Sequence, residues 1–386
     1  MKAKLGAQER LEEIQEQLIE LSHRIHANPE VGFEEERASV WLAELLDANG
    51  FEVEPGICDL PTAFVARAGR GPLNIAICAE YDSLPGLGHA CGHNVIAASA
   101  VGAALAACKV ADEVGLSITV FGTPAEEVGN ASGKILMLER GAFSGVHGAM
   151  MVHPYPTDIL ELHIIAASMF EVQYTGKAAH ASAFPELGIN AADALTVAQT
   201  AIGLLRQHIR HSDRVHGITT HAGDAPNVIP ARASARYMVR AEDLQQLEEL
   251  RTKVRRCFQA GALATGAEVK LVGGERPYAE MHFDGEIGEL YRKNAEALGR
   301  RFPPADPLQA GVASTDMGNV SLAVPSIHPM IGIDSFPAVN HQPEFAAHCA
   351  TPAADKAVVD GSLAMAWTAI DMAATPAIRE RLMRRG

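Results

Sequence analysis

The stretch Gly88-His89-Ala90-Cys91-Gly92-His93-Asn94 places a thiol and an imidazole one residue apart in a glycine-rich segment. In an extended or turning segment both side chains can reach one ion, and glycines allow the backbone to bend around it. A buried cysteine is more often a small hydrophobic residue, so Cys91 and His93 need support from other segments. The apolar run 73–79 precedes this stretch and the alanine-rich run 95–108 follows it. The pattern predicts a strand, a loop that carries the two side chains, and a buried helix.

A pair of glutamates, Glu126 and Glu127, follows the apolar run 116–122 and the turn at Thr123-Pro124. Adjacent glutamates are commonly a solvated pair at the start of a helix. Here a buried strand and a rigid turn precede them, which favours a position in a cleft. Because like charges in a cleft repel, we expect one carboxylate to bind a metal ion and the other to move protons.

Three further polar residues occupy loop-like positions. Asp82 follows the predicted strand 73–79, and His153 follows the predicted strand 149–152. Strands that alternate with helices imply a mostly parallel sheet, and sites in open α/β sheets lie outside the carboxyl ends of the strands. His341 lies in a loop, and either histidine alone is more often an ordinary core or surface residue. Together with the earlier groups they predict one shared site for metal-assisted hydrolysis.

The chain changes its pattern near residue 169. The segments 170–174, 217–221, 234–239 and 268–272 read as strands, and 190–207 and 244–264 read as helices. The resulting order β-α-β-β-α-β is that of a ferredoxin-like module. We therefore predict an α/β fold in which a mostly parallel-sheet catalytic domain, residues 1–166 and 280–386, carries an inserted ferredoxin-like (α+β) domain at residues 167–279.

The composition excludes several classes of partner. The chain carries 32 Lys and Arg against 47 Asp and Glu, a net charge of −15, and it has no basic run. This balance disfavours nucleic acids. The six cysteines are scattered without framework spacing, which favours reduced thiols and a cytoplasmic location. Residues 1–20 lack the apolar core of a signal peptide, and the run 95–108 is too short to span a bilayer, so we expect no membrane partner.

Several segments together resemble the M20 metallopeptidase family, in particular its amidohydrolase branch of aminoacylase-like and aminobenzoyl-glutamate hydrolase enzymes. The resemblance rests on residues 79–85, 88–94 and 124–127, and it extends from residue 26 to residue 345. Asn94 and Tyr81 depart from the aspartate and methionine that many relatives carry, which points away from auxin conjugates as substrates.

This resemblance implies two divalent metal ions in each subunit, with Cys91 as the bridge between them. Zinc suits the thiolate, and manganese suits the oxygen and imidazole ligands, so the identity of the metal stays open. The implied ligands are Cys91, His93, Glu127, His153 and His341.

The same resemblance implies roles for four other residues. Glu126 would be the general base that takes a proton from water and later delivers it to the leaving amine. Asp82 would orient a ligand imidazole. The inserted domain would be a dimerisation lid, so we expect a homodimer in which His180 enters the site of the partner subunit to stabilise the oxyanion. Asn227 would help to hold the substrate.

We therefore predict a metal-dependent amidohydrolase that cleaves the amide bond of a small N-acyl amino acid or dipeptide-like substrate. One alternative is a thiol hydrolase with Cys91 as nucleophile and His93 as base, although residues two apart seldom align for proton transfer. The other alternative is a non-catalytic binding subunit of the same fold, in which Glu126 would have no use as a base.

Overall fold

The computed structural model describes residues 2–302 and 312–384, and the chain forms two compact units. The first unit comprises Met1–Val128, Ser132–His163 and Met281–Gly386, and the second comprises Gly129–Ala131 and Ile164–Glu280. The second unit includes the short segment 129–131, which the sequence-based division at 167–279 leaves in the first domain.

Helices and strands alternate through the first half of the chain, and the described elements are as follows. Residues 2–164 contain the helices α1 (Lys2–His26), α2 (Glu36–Ala48), α3 (His93–Cys108), α4 (Ala111–Val114) and α5 (Gly133–Glu139), and the strands β1 (Glu52–Pro55), β2 (Phe64–Gly69), β3 (Leu73–Ala79), β4 (Leu116–Gly122), β5 (Gly148–Met150), β6 (His153–Tyr155) and β7 (His163–Ile164). Residues 166–272 contain β8 (Ala166–Thr175), α6 (Ala191–Leu205), β9 (Arg214–His221), β10 (Arg232–Ala241), α7 (Leu244–Thr265) and β11 (Glu268–Val272). The rest contains α8 (Gly285–Ala297), β12 (Val312–Ala313), α9 (Met317–Ala323), β13 (Ser326–Ile327), β14 (Met330–Gly332), α10 (Pro343–His348), α11 (Pro352–Ala374) and α12 (Pro376–Met383).

The first unit is built on a six-stranded sheet with the strand order β1-β2-β4-β3-β5-β13. β3 pairs in parallel with β4 and β5, and β5 with β13, while β1–β2 and β2–β4 are antiparallel. Alternate residues of β3 point to opposite faces, so Ile75 and Ile77 join one apolar cluster and Ala76 and Cys78 join another. Because both faces are covered, the strand reads as a continuous apolar run. The predicted mostly parallel sheet is confirmed.

Helix α3, which begins within the predicted ligand motif, explains the alanine-rich sequence. Every residue of α3 except Cys108 is buried, and the helix packs against α1 and α11. Small side chains allow this close approach, since a Cβ atom at Gly102 would lie 2.2 Å from Ser362 Oγ. The helix begins at His93, two residues before the predicted start. The prediction was wrong there because Gly92, at φ 82°, turns the chain directly into the helix.

The second unit contains a four-stranded antiparallel sheet with the order β11-β8-β10-β9. Helices α6 and α7 pack against each other and against this sheet, and the core includes Phe170, Tyr237 and Phe258. Each helix begins at a side-chain cap: Asn190 accepts from Ala192 N–H, and Asp243 accepts from the N–H of residue 246. The predicted ferredoxin-like order is confirmed.

The long helices are amphipathic or buried within their own unit. Helix α1 buries Leu11, Leu18 and Ile25 on one face, as their spacing of three and four residues predicts. Within residues 2–302 and 312–384, none of the helices combines the length and the apolar character that crossing a membrane requires.

Candidate metal centre and active site

The loop between β3 and α3 carries two of the predicted ligands, Cys91 and His93, on either side of a glycine. Gly92 has a φ of 82°, and a Cβ atom there would lie 2.4 Å from Pro154 Cγ. No side chain fits this position unless the ring of Pro154 shifts. Close packing therefore fixes the directions in which the thiol and the imidazole point.

The structure brings the five predicted ligand side chains together. Cys91 Sγ lies 3.5 Å from Nε2 of His153 and 3.5 Å from Nε2 of His341. Glu127 Oε1 lies 3.7 Å from Nε2 of His341 and 3.9 Å from Nε2 of His93. Three overlapping groups of these atoms, one of which also includes Glu126, each fit within 4.8 Å. The predicted side chains of the first unit thus converge on one place.

Hydrogen bonds to Asp82 orient one imidazole and one glutamate backbone. Oδ1 of Asp82 lies 3.0 Å from Nδ1 of His93, and Oδ2 accepts from Glu127 N–H at 2.9 Å. His93 donates its Nδ1 proton to Asp82, and this bond leaves Nε2 as the ring nitrogen that faces Glu127. Burial opposes a proton on His93, but the Asp82 carboxylate outweighs it and raises the pKa of His93 well above the ordinary value.

His153 occupies a different element from the one predicted. It begins β6, which pairs in parallel with β14 and lies outside the six-stranded sheet. The prediction that His153 ends the strand 149–152 was wrong, because β5 stops at Met150. Its Nδ1 donates to Pro154 O at 2.8 Å, which leaves the Nε2 lone pair facing Cys91. Burial, together with the nearby His328 and His93 rings, lowers the pKa of His153 to about 3 and keeps the ring neutral.

The donor atoms of this cluster fit metal ions. Nε2 of His93 and Oε1 of Glu127 are buried and have no hydrogen-bond partner within the described part of the chain. A buried polar atom without a partner is costly, and native proteins nearly always satisfy such atoms. A thiol, three imidazoles and a carboxylate are the ligand types that zinc and related divalent ions take. Cations bound here would supply the missing partners.

Glu126 lies at the centre of a concentration of negative charge. It follows Ala125, whose φ of +59° is in the left-handed region, and it begins the 3₁₀ turn Glu126–Val128. Burial and the neighbouring carboxylates of Glu80 and Glu127 raise the pKa of Glu126 well above the ordinary value for a glutamate. A carboxyl group with a raised pKa can take up and release a proton nearer to neutral pH.

Beside Glu126 lies a buried ion cluster that the sequence analysis did not identify. The Lys134 ammonium donates to Glu80 Oε1 and to Asp316 Oδ1, each at 2.5 Å, and Ser132 Oγ donates to Asp316 Oδ2 at 2.6 Å. Burial raises the pKa of Glu80, but Lys134 outweighs it and lowers that pKa to about 2. Because the Lys134 ammonium already bonds one oxygen of each of these carboxylates, we assign no metal to them. Glu80 directly follows β3, and this position at a strand end could have identified it from the sequence. No comparable sequence pattern marks Lys134.

The two predicted substrate-binding residues, His180 and Asn227, lie in the second unit and close to each other. Residue 180 forms an antiparallel bridge with Val228, and Ala181 N–H donates to Asn227 O at 3.0 Å. Both side chains are exposed. Nδ1 of His180 accepts from the N–H of Ser182 at 3.3 Å, so its ring proton lies on Nε2.

Known proteins resemble this chain in sequence over nearly its full length. A model of the M20 peptidase dimerisation domain matches residues 166–265. The chain is 38% identical over 395 residues to the Xaa-Arg dipeptidase of Mus musculus, an alignment that covers 98% of this chain and 90% of that protein. The chain belongs to the M20 peptidase family. It is also 33% identical over 281 residues to a p-aminobenzoyl-glutamate hydrolase protein of Escherichia coli, covering 67% of this M20 chain and 58% of that protein.

Solved structures share the fold of this M20 protein. A dinuclear metal-binding M20 peptidase of Bacillus subtilis superposes with a TM-score of 0.70 at 22% identity, covering 94% of this chain and 99% of that one. An aminobenzoyl-glutamate utilization protein of Klebsiella pneumoniae superposes with a TM-score of 0.73 at 19% identity, covering 93% and 97%. The predicted family, fold class and enzyme class are confirmed: the protein is a metallopeptidase-type hydrolase of amide bonds.

Proposed function

We propose that this M20 hydrolase uses two divalent ions to cleave dipeptides or N-acyl amino acids. The observation that carries the proposal is the convergence of donors from four separate segments, with buried atoms of His93 and Glu127 that lack hydrogen-bond partners in the described chain. Cys91 Sγ lies 3.5 Å from Nε2 of His153 and from Nε2 of His341, so its thiolate would be within reach of an ion held by either imidazole. The proposed ligands are Cys91, His93, Glu127, His153 and His341.

The proposed reaction divides the work between the ions and the glutamates. When bound, two divalent ions lower the pKa of water towards about 7 and polarise the scissile carbonyl. Glu126 takes the proton of the attacking water and returns it to the nitrogen of the leaving amine. Its raised pKa supports this role, because the carboxyl group must hold the proton between the two steps. Asp82 keeps the ring of His93 and the backbone of Glu127 in place.

We propose further that His180 stabilises the oxyanion and that Asn227 helps to bind the substrate. The tautomer of His180 supports this role, because an exposed Nε2–H is a donor for a developing negative charge. In the proposed homodimer, His180 acts in the site of the partner subunit.

The surface of the second unit supports a homodimer. In the four-stranded sheet that the structure describes, β9 pairs only with β10, and its other edge is available. Ile218 on β9 is 65% exposed and Leu204 on α6 is 71% exposed. Exposed sheet edges are common sites of association between chains. The match of this unit to a peptidase dimerisation domain points the same way.

The substrate we propose is a dipeptide with a basic carboxyl-terminal residue. The Mus musculus relative, 38% identical, is an Xaa-Arg dipeptidase. The net charge of −15 also favours a cationic substrate over an anionic one. This charge disfavours p-aminobenzoyl-glutamate, although one relative hydrolyses it by name.

We also propose a cytoplasmic location for the protein. All six cysteines are free, which is typical of chains that fold in a reducing compartment.

Two variants and one control test the assignment of the ligands and the base. Glu126→Gln should retain its metal, while turnover of an Xaa-Arg dipeptide falls roughly 10²–10⁴-fold. Cys91→Ala should lose at least one ion per chain and its activity. Cys108→Ala is the matched control, since Cys91 and Cys108 are both half-buried. This variant should keep its metal ions and its activity. Loss of metal from Glu126→Gln would reverse the roles of the two glutamates.

The same preparation separates the proposal from its alternatives. Chelation should abolish hydrolysis and added zinc or manganese should restore it. An enzyme that survives chelation but not thiol alkylation would be a thiol hydrolase.

Mixing the Glu126→Gln and His180→Ala proteins should restore activity in heterodimers, because one of the two sites then has an intact base and an intact partner histidine. No recovery after demonstrated subunit exchange would contradict the role in trans of His180.

A further inference from the structure

The backbone on both sides of Glu126 is bonded to a buried carboxylate from another segment. On the carboxyl side, Glu127 N–H donates to Asp82 Oδ2 at 2.9 Å. On the amino side, Ala125 N–H donates to Glu35 Oε1 at 2.7 Å, although these two residues lie 90 positions apart. Glu35 is 0% exposed. The turn that presents Glu126 is thus bonded at the residue before it and at the residue after it.

Ala125 needs an external partner because of its conformation. Its φ of +59° is in the left-handed region, which is unfavourable for a residue with a side chain. Such conformations persist where the surrounding structure over-determines them. The Glu35 carboxyl group accepts the N–H of this residue, which would otherwise be a buried donor without a partner. The bond therefore stabilises the one backbone geometry that aims Glu126.

Glu35 is itself fixed by a second bond. Thr62 Oγ1 donates to Glu35 Oε2 at 2.9 Å, and the carbonyl of Thr62 accepts from the Tyr81 hydroxyl at 2.6 Å. Each carboxylate oxygen thus has a partner, so the side chain cannot turn away from Ala125 without losing a hydrogen bond.

We propose that Glu35 is a positioning residue for the reaction, which holds the left-handed turn at Ala125 so that Glu126 points at the substrate site. The inference rests on the proposed role of Glu126 as the base. Glu35 bonds neither the proposed ligands nor Glu126 through its described hydrogen bonds, and its bond to the glutamate turn is to the backbone of Ala125.

The first test compares Glu35→Ala with a conservative variant and a matched control. Glu35→Ala should lower kcat roughly 10²-fold, the cost of a misplacement of about 1 Å, with little change in KM or metal content. Glu35→Gln should recover most of kcat, because its amide oxygen accepts from Ala125 and its NH₂ group can donate to Thr62. Burial and the Asp82 charge also raise the pKa of Glu35 to about 7, so a neutral amide is a close replacement.

Glu30→Ala is the matched control. The Glu30 carboxylate accepts from the backbone N–H groups of Arg37 and Ala38 in the neighbouring part of the chain and makes no bond to the turn at Ala125. Its removal should lower stability without a selective loss of kcat. An equal loss of kcat in Glu30→Ala and Glu35→Ala would reduce Glu35 to a general stabiliser and overturn the proposal.

A second readout does not depend on activity. Hydrogen exchange of the Ala125 amide, followed in a peptide that spans 123–128, should be faster in Glu35→Ala and unchanged in Glu30→Ala. Unchanged exchange of the Ala125 amide in a folded Glu35→Ala protein overturns the positioning role, regardless of the kcat of that variant. A wild-type protein that hydrolyses no amide contradicts the proposed function, and the exchange result still decides the role of Glu35.

A milder variant covers the case in which Glu35→Ala does not fold. Thr62→Val removes only the hydroxyl donor to Glu35 and keeps the branched shape of the side chain. It should speed exchange at Ala125 and lower kcat by a smaller factor than roughly 10². Normal exchange and normal kcat in Thr62→Val, or a rise in KM with kcat unchanged, would contradict the inference.

Discussion

Two turns of the first unit each present a pair of functional side chains, and they are held by different forces. The turn around Gly92 presents Cys91 and His93 and is held by close packing, since a Cβ atom at residue 92 would lie 2.4 Å from Pro154 Cγ. The turn around Ala125 presents the two glutamates and is held by hydrogen bonds to buried carboxylates. The first turn requires a glycine, whereas the second tolerates a left-handed alanine.

The difference follows from the charges that each turn carries. The Cys91 thiol is neutral before it binds a metal, and the Asp82 carboxylate balances the charge on His93, so apolar packing can surround the rest of this turn. Two adjacent glutamates need polar surroundings, and the structure supplies the Lys134 ammonium close to one of them. The two turns should therefore respond to different substitutions.

Removing the charge behind the second turn should have the largest effect on stability. Lys134→Met leaves the carboxylates of Glu80 and Asp316 buried without a cation, which should cost about 3–5 kcal/mol of unfolding free energy. Urea denaturation of the metal-free protein measures it. The control is Lys356→Met, which removes an ion pair with Asp360 from a side chain that is 61% exposed and should cost about 1 kcal/mol or less. Similar losses of unfolding free energy in Lys134→Met and Lys356→Met would show that burial does not set the cost of removing the lysine.

Filling the first turn should have the next largest effect. Gly92→Ala forces both a left-handed alanine and a clash with Pro154, which together should cost about 2–4 kcal/mol and prevent metal binding. Gly86→Ala is the control in the same loop, because it has a φ of 74° and nothing within 4 Å of its Cβ position. It should cost about 1 kcal/mol and leave metal content intact. Equal thermal shifts for the two variants would show that packing does not hold this turn.

Asp82 joins the two turns, and its removal should have an intermediate effect. Its carboxylate contacts the His93 ring of the first turn and the Glu127 backbone of the second. Asp82→Ala should weaken metal affinity by roughly 10–100-fold, measured by competition with a chelator. Its effect on metal should exceed that of Glu35→Ala, which touches only the second turn. A larger loss of metal affinity in Glu35→Ala than in Asp82→Ala would contradict the assignment of Asp82 to both turns and of Glu35 to the second turn alone.

Relieving the strain in the second turn should have the smallest effect. Ala125→Gly removes the left-handed strain, worth about 1–2 kcal/mol, but loses a buried methyl group, worth about 0.8 kcal/mol. The net change in unfolding free energy should be within about 1 kcal/mol of zero. A loss as large as that of Gly92→Ala would mean that the methyl group, and not the Glu35 bond, holds the turn.

The site residues that could be identified from the sequence are those that lie next to a recognisable strand end or glycine-rich turn. Cys91, His93 and the glutamate pair stand beside apolar runs, so strand ends and glycines marked them without a structure. The order of elements in the second unit was also readable, because the strands and helices of that unit have clear periodicity. His153 was found for a partly wrong reason, since it begins a separate strand pair.

The sequence alone determined the family, the sheet that carries the site and the chemical types of the ligands, because these depend on local periodicity and on short motifs. Only the tertiary structure revealed Lys134, Asp316 and Glu35 as neighbours of the glutamate turn. Their contacts join positions 54, 182 and 90 residues apart. Nothing in a linear pattern indicates which distant charge a buried carboxylate will meet, because that pairing is set by desolvation within the packed core. The strained φ at Ala125 was equally invisible, since it exists only where the folded surroundings supply the bonds that stabilise it.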